Sequence, residues 1–452
     1  MIKNEIAELN IIGMSLQGAG IARVDGMAVF VPGAATGDRI RAVIVKVKSN
    51  HAFARCLEVL SPSAQRITPV CGVFPQCGGC AFQHVDYACE LALKESEVRE
   101  TLRRIGGIGA PVMPMVGASS PLRYRNKAML PVGQSQNGIG TGYFAAHSHR
   151  IIFTDDCPLQ PVLFSEIAQT VCGWAQESGC PIYDETAHTG CLRHIYLRQS
   201  FFNGDILVTL VVNAKQVPRT DLLIKALCTQ HPAVKGILLN HHEKQSNAVL
   251  GEGLTCLWGT TRVHEELCGL RFQLSPLSFF QIHPPQAEKL YTIAAQYANL
   301  GGGERILDLY CGTGTIGLSM AKEAKEVIGV EVVPSAIADA NENARQNGIV
   351  NARFLRMDAA DAAKQLFAEQ WHPDVVLLDP PRKGCSAATL EVVAGMRPAR
   401  IVYISCDPAT LARDLALLAE WGYQTQEVTP VDMFPRTAHV ECCALVAAMG
   451  WR

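Results

Sequence analysis

The chain has 452 residues, 48% of them apolar, and a formal net charge of −2. That length is too great for one ordinary core and predicts about three domains. So small a net charge excludes recognition of a polyanion by bulk charge alone, and no apolar run approaches the ~18 residues that span a bilayer.

Met1 leads into no signal-peptide core, so a cytoplasmic protein with no membrane partner is expected. Seventeen cysteines, an odd number, then argue for free thiols with a metal-binding or catalytic subset rather than a disulfide scaffold. The charge is uneven. Residues 1–70 carry eight Lys and Arg against five Asp and Glu, and residues 281–452 carry fifteen against twenty. A basic front end of that size is compatible with a phosphate-backbone partner without identifying one.

Residues 1–62 read as a compact all-β, OB-like barrel. Extended runs at 20–24 and 27–31 flank Asp25-Gly26, a hairpin turn. Residues 39–44 alternate apolar and polar, and the period is lost through 45–48. Ser61-Pro62 and Thr68-Pro69 mark the exit. Residues 63–280 read as an α+β central domain. It opens on a loop bearing Cys71, Cys77 and Cys80, followed by a charged helix over 86–105. From 124 to 281 the pattern is mainly strands, with helices near 163–177 and 222–230.

Residues 281–452 alternate buried strands with helices. The apolar runs at 305–310, 327–331, 374–379 and 400–404 are of the kind that parallel strands show when covered on both faces. They predict a doubly wound, Rossmann-like α/β sheet with its ligands at the carboxyl ends of the strands.

Three motifs fall at those ends, and a fourth lies in a strand of its own. Asp308-Leu309-Tyr310-Cys311-Gly312-Thr313-Gly314 is a strand entering a glycine turn, and Glu331 ends the next strand. Glycine lets backbone approach a ligand, and a carboxylate so placed accepts hydrogen bonds from ribose hydroxyls. A tight structural turn is the alternative. The spacing of Asp308, Gly312 and Gly314 resembles class I S-adenosylmethionine (SAM) methyltransferases more than the NAD fingerprint. By that resemblance Asp358 faces the adenine.

Asp379-Pro380-Pro381-Arg382 ends another strand. Arg382 stands where amine methyltransferases usually carry an aromatic, which points away from amine methylation. In Ser405-Cys406-Asp407-Pro408 a strand hands over to a helix, with Asp407 as N-cap and Pro408 as first helical residue. The helix N-terminus predicts a lowered pKa for Cys406 and makes it a candidate nucleophile. A core cysteine is the alternative. Glu441 lies in an otherwise apolar strand, where a buried carboxylate acquires a raised pKa suited to proton abstraction, unless the strand is an exposed edge.

With Phe279-Phe280-Gln281, these motifs resemble the RNA (uracil-5-)-methyltransferase family, most closely its RlmD-type members acting on 23S ribosomal RNA. The resemblance implies that Cys406 adds to carbon 6 of uracil, that carbon 5 then takes the methyl group of SAM, and that Glu441 removes the carbon-5 proton. Carbon 5 is a poor nucleophile until a soft nucleophile saturates the neighbouring double bond. Gln281, Tyr310, Glu331, Asp358 and Asp379 are the implied cofactor residues. The target base must be flipped out of its stack, with Phe279 placed to stack on it. Tyr124-Arg125-Asn126-Lys127 also matches and offers two cations to phosphates.

Cys71, Cys77 and Cys80, with Cys157, make a four-thiol ligand set. Spacing leaves zinc and an iron-sulfur cube both open. The flanking Gly78-Gly79 and residues 81–84 resemble the 4Fe-4S segment of ribosomal-RNA members. The N-terminal unit resembles a TRAM barrel, which in relatives contacts RNA. Relatives acting on transfer RNA generally lack both modules, which favours 23S rRNA as substrate; a monomeric enzyme is expected. A tRNA uracil-5 methyltransferase, and a catalytically inactive iron-sulfur RNA-binding or assembly protein, are the alternatives.

Overall fold

A computed structural model describes residues 1–244 and 249–450; the last two residues of the segment read as 281–452 lie outside them. The first 61 residues form one six-stranded sheet. Asp25 and Gly26 both take positive φ, 49° and 80°, the turn whose twist matches that of a hairpin, and they join Ala19–Val24 to Met27–Pro32. Arg39–Val47 buries Ile40, Ala42 and Ile44, then exposes Val45 and Val47 where the alternation ends. The buried set packs with Leu9, Ile11, Val29 and Val31 in a core of its own.

A second sheet of seven strands spans Lys127–Ser135 to Gly253–Gly259. It is antiparallel except where Ile206–Val212 runs parallel to Val234–His241. Helices Val162–Ser178 and Thr220–Gln230 pack on it. Among the described residues no helix is long and apolar enough to cross a membrane.

The third sheet has strands β1 (Arg305–Leu309), β2 (Glu326–Glu331), β3 (Ala352–Arg356), β4 (Val375–Leu378), β5 (Arg400–Ser405), β6 (Tyr423–Val431) and β7 (Glu441–Ala448). Their order is 3-2-1-4-5-7-6. The first five are parallel, and β7 runs antiparallel between β5 and β6. Chain order reverses between β1 and β4, the point at which open α/β sheets bind ligands.

One element sits away from its sequence neighbours. The helix Tyr87–Gly106 is capped by Asp86, whose carboxylate accepts from Cys89 N, and ends at Gly107 in the left-handed region. It packs along the helix Pro408–Glu420, and its Val98 and Leu102 join the core of the third sheet with Leu411 and Leu415. Beyond it, Val112 and Val116 bridge in parallel to Val428 and Val431 on β6. The segment around 87–116 thus packs with the C-terminal sheet, although in sequence it lies within 63–280. Leu102 is 1% exposed, and Leu102→Ala should cost about 2–5 kcal/mol. Hydrogen exchange should accelerate across residues 400–420 and stay unchanged in the sheet of residues 127–259.

Candidate active site at the carboxyl edge of the third sheet

Strand register gathers the candidate residues. Leu309 pairs with Val330 on one side and Leu378 on the other, so the next residues, Tyr310, Glu331 and Asp379, emerge side by side. On the far side of β4, the antiparallel ladder of β5 and β7 ends with Ser405 opposite Cys442. One step further the same register sets Cys406 opposite Glu441. Directly opposed residues of antiparallel strands present their side chains on one face. The candidate nucleophile and base therefore meet because β7 reverses direction beside a parallel strand.

Glu441 is 5% exposed. Burial holds its pKa well above the carboxylate range; Asp379 adds to the shift and Arg382 opposes it. Burial pushes Asp379 up to about 7. Cys406 is raised to about 11, first by burial, then by the charges of Glu441 and Asp379, with Arg382 again opposing. This corrects the lowered pKa expected from the helix N-terminus. The first amides of that helix are already satisfied, since Asp407 Oδ1 accepts from Ala409 N at 2.8 Å and Thr410 N at 3.2 Å. The sulfur faces carboxylates instead, so Cys406 rests as a thiol. Arg382 also donates to a ring nitrogen of His439 at 3.3 Å.

On the glycine-turn side, Glu331 Oε1 accepts from Val332 N and Val333 N at 2.8 and 2.9 Å, and Oε2 accepts from Gly312 N at 3.2 Å. Both oxygens thus brace the turn and keep only their remaining lone pairs for a ligand. Gly312 has φ 54°, and a Cβ built on it meets nothing within 4 Å, which leaves the turn open to a close approach. Gly314 is a packing position, where a Cβ would stand 3.0 Å from the Phe354 ring.

Asp308 is 1% exposed. Its Oδ2 accepts from Gly317 N at 3.0 Å while burial pushes its pKa up to about 8. It holds the start of the next helix. Asp358 is exposed and caps the helix Ala359–Ala368 through Ala360 N at 2.9 Å.

Gln281 lies against Tyr291, whose hydroxyl is 3.2 Å from Thr315 Oγ1. The Gln281 carbonyl accepts from Asn126 Nδ2 at 3.0 Å. Tyr291 carried no motif signal, and Asn126 entered only as part of the Tyr124–Lys127 match, with its two neighbouring cations as the point of interest. Tyr291 reads as one more apolar position of a helix, and Asn126 acts across 155 residues of sequence. Phe279 is 63% exposed, with Lys127 Nζ 5.8 Å from its ring centre. Arg125 lines a separate cavity, so the two cations read together as a phosphate pair part company.

That cavity is the cysteine site. Cys71, Cys77, Cys80 and Cys157 line it with Arg125 and Tyr143. Burial raises Cys77 and Cys157 and takes Cys80 to about 12, while the Arg125 charge opposes each shift. Among the described residues no three His, Cys, Asp or Glu side chains group so as to hold a metal ion. The thiols surround the cavity without converging on one point.

Residues 268–449 match the tRNA (Uracil-5-)-methyltransferase family. An uncharacterized RNA methyltransferase of Halalkalibacterium halodurans is 42% identical over 445 residues, 98% of this chain and 97% of its own. The chain belongs to the RNA (uracil-5-)-methyltransferase family. A relative from Clostridium tetani, also an uncharacterized RNA methyltransferase, is 41% identical over 99% of this chain and 97% of its own. The crystal structure of Pyrococcus abyssi tRNA (uracil-54, C5)-methyltransferase in complex with S-adenosyl-L-homocysteine matches this methyltransferase with a TM-score of 0.78 and 26% identity. It covers 98% of this chain and 100% of its own. That coverage reaches into the first 61 residues, so the presence of the N-terminal sheet does not separate ribosomal from transfer RNA enzymes.

Alkylation of Cys406 by iodoacetamide, followed by mass spectrometry of its peptide, should rise about tenfold per pH unit without a plateau below about pH 10, because only the thiolate reacts. Arg382→Gln removes the cation that opposes the shift and should move that profile to higher pH.

Proposed function

We propose that this RNA methyltransferase methylates carbon 5 of a specific uridine in 23S rRNA, using SAM. The observation that carries the reading is that the β5–β7 ladder ends at Ser405 opposite Cys442, with Cys406 and Glu441 next in line and the Glu441 charge acting on the Cys406 thiol. The open Gly312 turn beside Glu331 and Asp379 suits a nucleoside cofactor, and the Pyrococcus abyssi relative holds S-adenosyl-L-homocysteine. When bound, that cofactor supplies an electrophilic methyl group and a positive charge.

Cys406 gives up its thiol proton to solvent and, as thiolate, bonds through Sγ to carbon 6 of the flipped uracil, which makes carbon 5 electron-rich enough to accept the methyl group. Glu441 then takes the carbon-5 proton. The double bond re-forms, and the cysteine leaves as thiolate. The resting pKa values oppose the first and third of these events, since burial favours thiol and carboxylic acid. Arg382 works against both shifts, and any further cation in the cleft acts in the same direction. Phe279 stacks on the extruded base beside Lys127.

The four cysteines hold a 4Fe-4S cluster in this reading. A single zinc ion draws its sulfurs to about 2.3 Å from one centre, whereas a cube gives each thiolate its own iron corner. Four thiols lining one cavity would serve as donors to either group, and the resemblance of residues 78–84 to a 4Fe-4S segment is what favours the cube. The N-terminal sheet is a TRAM-type RNA contact, and the enzyme acts as a monomer. A transfer-RNA uridine is the second reading, favoured by the full-length match to the tRNA (uracil-54, C5) enzyme.

RNA bearing 5-fluorouridine at the target should trap a protein adduct through Cys406, because fluorine cannot leave as a cation; no adduct from an active preparation refutes the covalent route. Glu441→Gln should slow turnover about 10²–10⁴-fold and accumulate methylated, protein-linked RNA. Labelled cofactor with unmodified total RNA, followed by mapping of 5-methyluridine, decides between 23S rRNA and tRNA. Purified protein should carry iron and acid-labile sulfide together; zinc without sulfide overturns the cluster.

A further inference from the structure

The connection from β6 to β7, residues 432–440, delivers Glu441 to the site yet has no regular secondary structure. It also contains Arg436 at φ 68°, a left-handed position that side-chain-bearing residues hold only where their surroundings over-determine it. Two elements from the first quarter of the chain supply those surroundings.

The first is the segment that follows Cys80. Ala81 N and Phe82 N donate to the Arg436 carbonyl at 2.7 and 3.2 Å. In return, Arg436 Nη1 donates to the carbonyls of Val85 at 2.8 Å and Phe82 at 3.2 Å. Cys80, a wall of the cysteine cavity, is covalently next to this exchange, and four residues of loop separate Arg436 from Glu441 on the other side.

The second is the helix Tyr87–Gly106. Lys94 is 0% exposed, and its Nζ donates to Glu90 and Asp432 at 2.8 Å each and to the Phe434 carbonyl at 3.3 Å. Glu90 Oε1 also accepts from Arg436 N at 2.7 Å, and Tyr87 donates its hydroxyl proton to Asp432 Oδ2 at 2.7 Å. Two buried cations and two buried carboxylates balance, and each depends on the others because Lys94, Glu90 and Asp432 are cut off from water and Arg436 nearly so. Such a network fixes geometry more surely than it adds stability, and here what it fixes is the entry of the chain into β7.

We propose that this clamp positions Glu441, with Arg436 and Lys94 as positioning residues, and that through Cys80–Val85 the condition of the four-cysteine cavity governs proton removal from carbon 5. The proposal rests on the reading of Glu441 as the base. A displacement of about 1 Å at a reacting group can cost about 10²-fold in rate, so a loosened loop should slow the step served by Glu441 and spare the binding of RNA.

The test uses the full-length enzyme with two variants. Cys80→Ser alters the cavity. Arg436→Lys keeps the charge and loses the forked donor set. Each is followed by hydrogen exchange of residues 432–440 in the absence of RNA, and by kinetics on target RNA. The expected result is faster exchange at 432–440 in both variants, kcat lowered about tenfold with KM for RNA within about twofold, and methylated protein-linked RNA accumulating during turnover. A rise in KM at unchanged kcat would make this segment an RNA contact and overturn the proposal. So would unchanged exchange in Arg436→Lys, which also decides the matter if Cys80→Ser does not fold. No 5-fluorouridine adduct in the wild-type enzyme would remove the catalytic half of the proposal, whereas the exchange coupling between the cavity and the loop would survive that result.

Discussion

One antiparallel strand in a parallel sheet is the constraint on which the site depends. Parallel strands deliver only their carboxyl ends to the ligand edge, so β1, β2, β4 and β5 bring Tyr310, Glu331, Asp379 and Cys406 there as strand-terminal residues. A carboxylate that meets Cys406 from the far side of the ladder has to come from a strand that starts at that edge. Strand β7 does so, and its ladder with β5 has no register shift from Arg400–Ala447 to Ser405–Cys442. A one-residue slip would turn Glu441 to the other face. The fully buried faces of both strands, with Ile401, Val402, Tyr403, Ile404, Cys442, Cys443 and Ala444 at 0–1% exposure, make that slip costly.

The same burial that fixes the register also sets the electrostatics. Glu441, Asp379 and Cys406 are all displaced toward their neutral forms, chiefly by desolvation. Arg382 is the cation that opposes two of these shifts. A site poised in this way is quiet when empty: burial favours the thiol of Cys406, the proposed nucleophile, and draws Glu441, the proposed base, toward its protonated form. Positive charge arriving with a ligand moves both toward the reactive form together. The cysteine is therefore guarded from indiscriminate alkylation by the surroundings that serve the chemistry.

Much of this was legible in the residues because strand ends and turns are local. The hairpin at Asp25-Gly26, the alternation of residues 39–44, the helices at 162–178 and 220–230 and the four strand-end motifs each state their structure within a few positions. What was not legible is long-range. The pKa of Cys406 depends on carboxylates from β4 and β7, while the nearer cue, the helix N-terminus, is consumed by Asp407. Arg125 and Lys127 are two apart in sequence but serve the cysteine cavity and Phe279 separately. Glu90 and Lys94 lie in a segment that reads only as a charged helix, since nothing within it announces that Asp432 and Arg436 will bury them.

The packing of the helix Tyr87–Gly106 also bears on how the chain is made. Lys94 meets Asp432 across 338 positions, so on a ribosome its charge and the apolar stripe of Val98 and Leu102 emerge long before their partners. Chains build domains from the amino end at about 5–20 residues per second, which leaves this helix waiting on the order of tens of seconds. During that interval the cysteine segment and the helix are an unfinished half of a core. Completion of the active-site loop and closure of the earliest helix onto the molecule are therefore a single, late event in the birth of the protein.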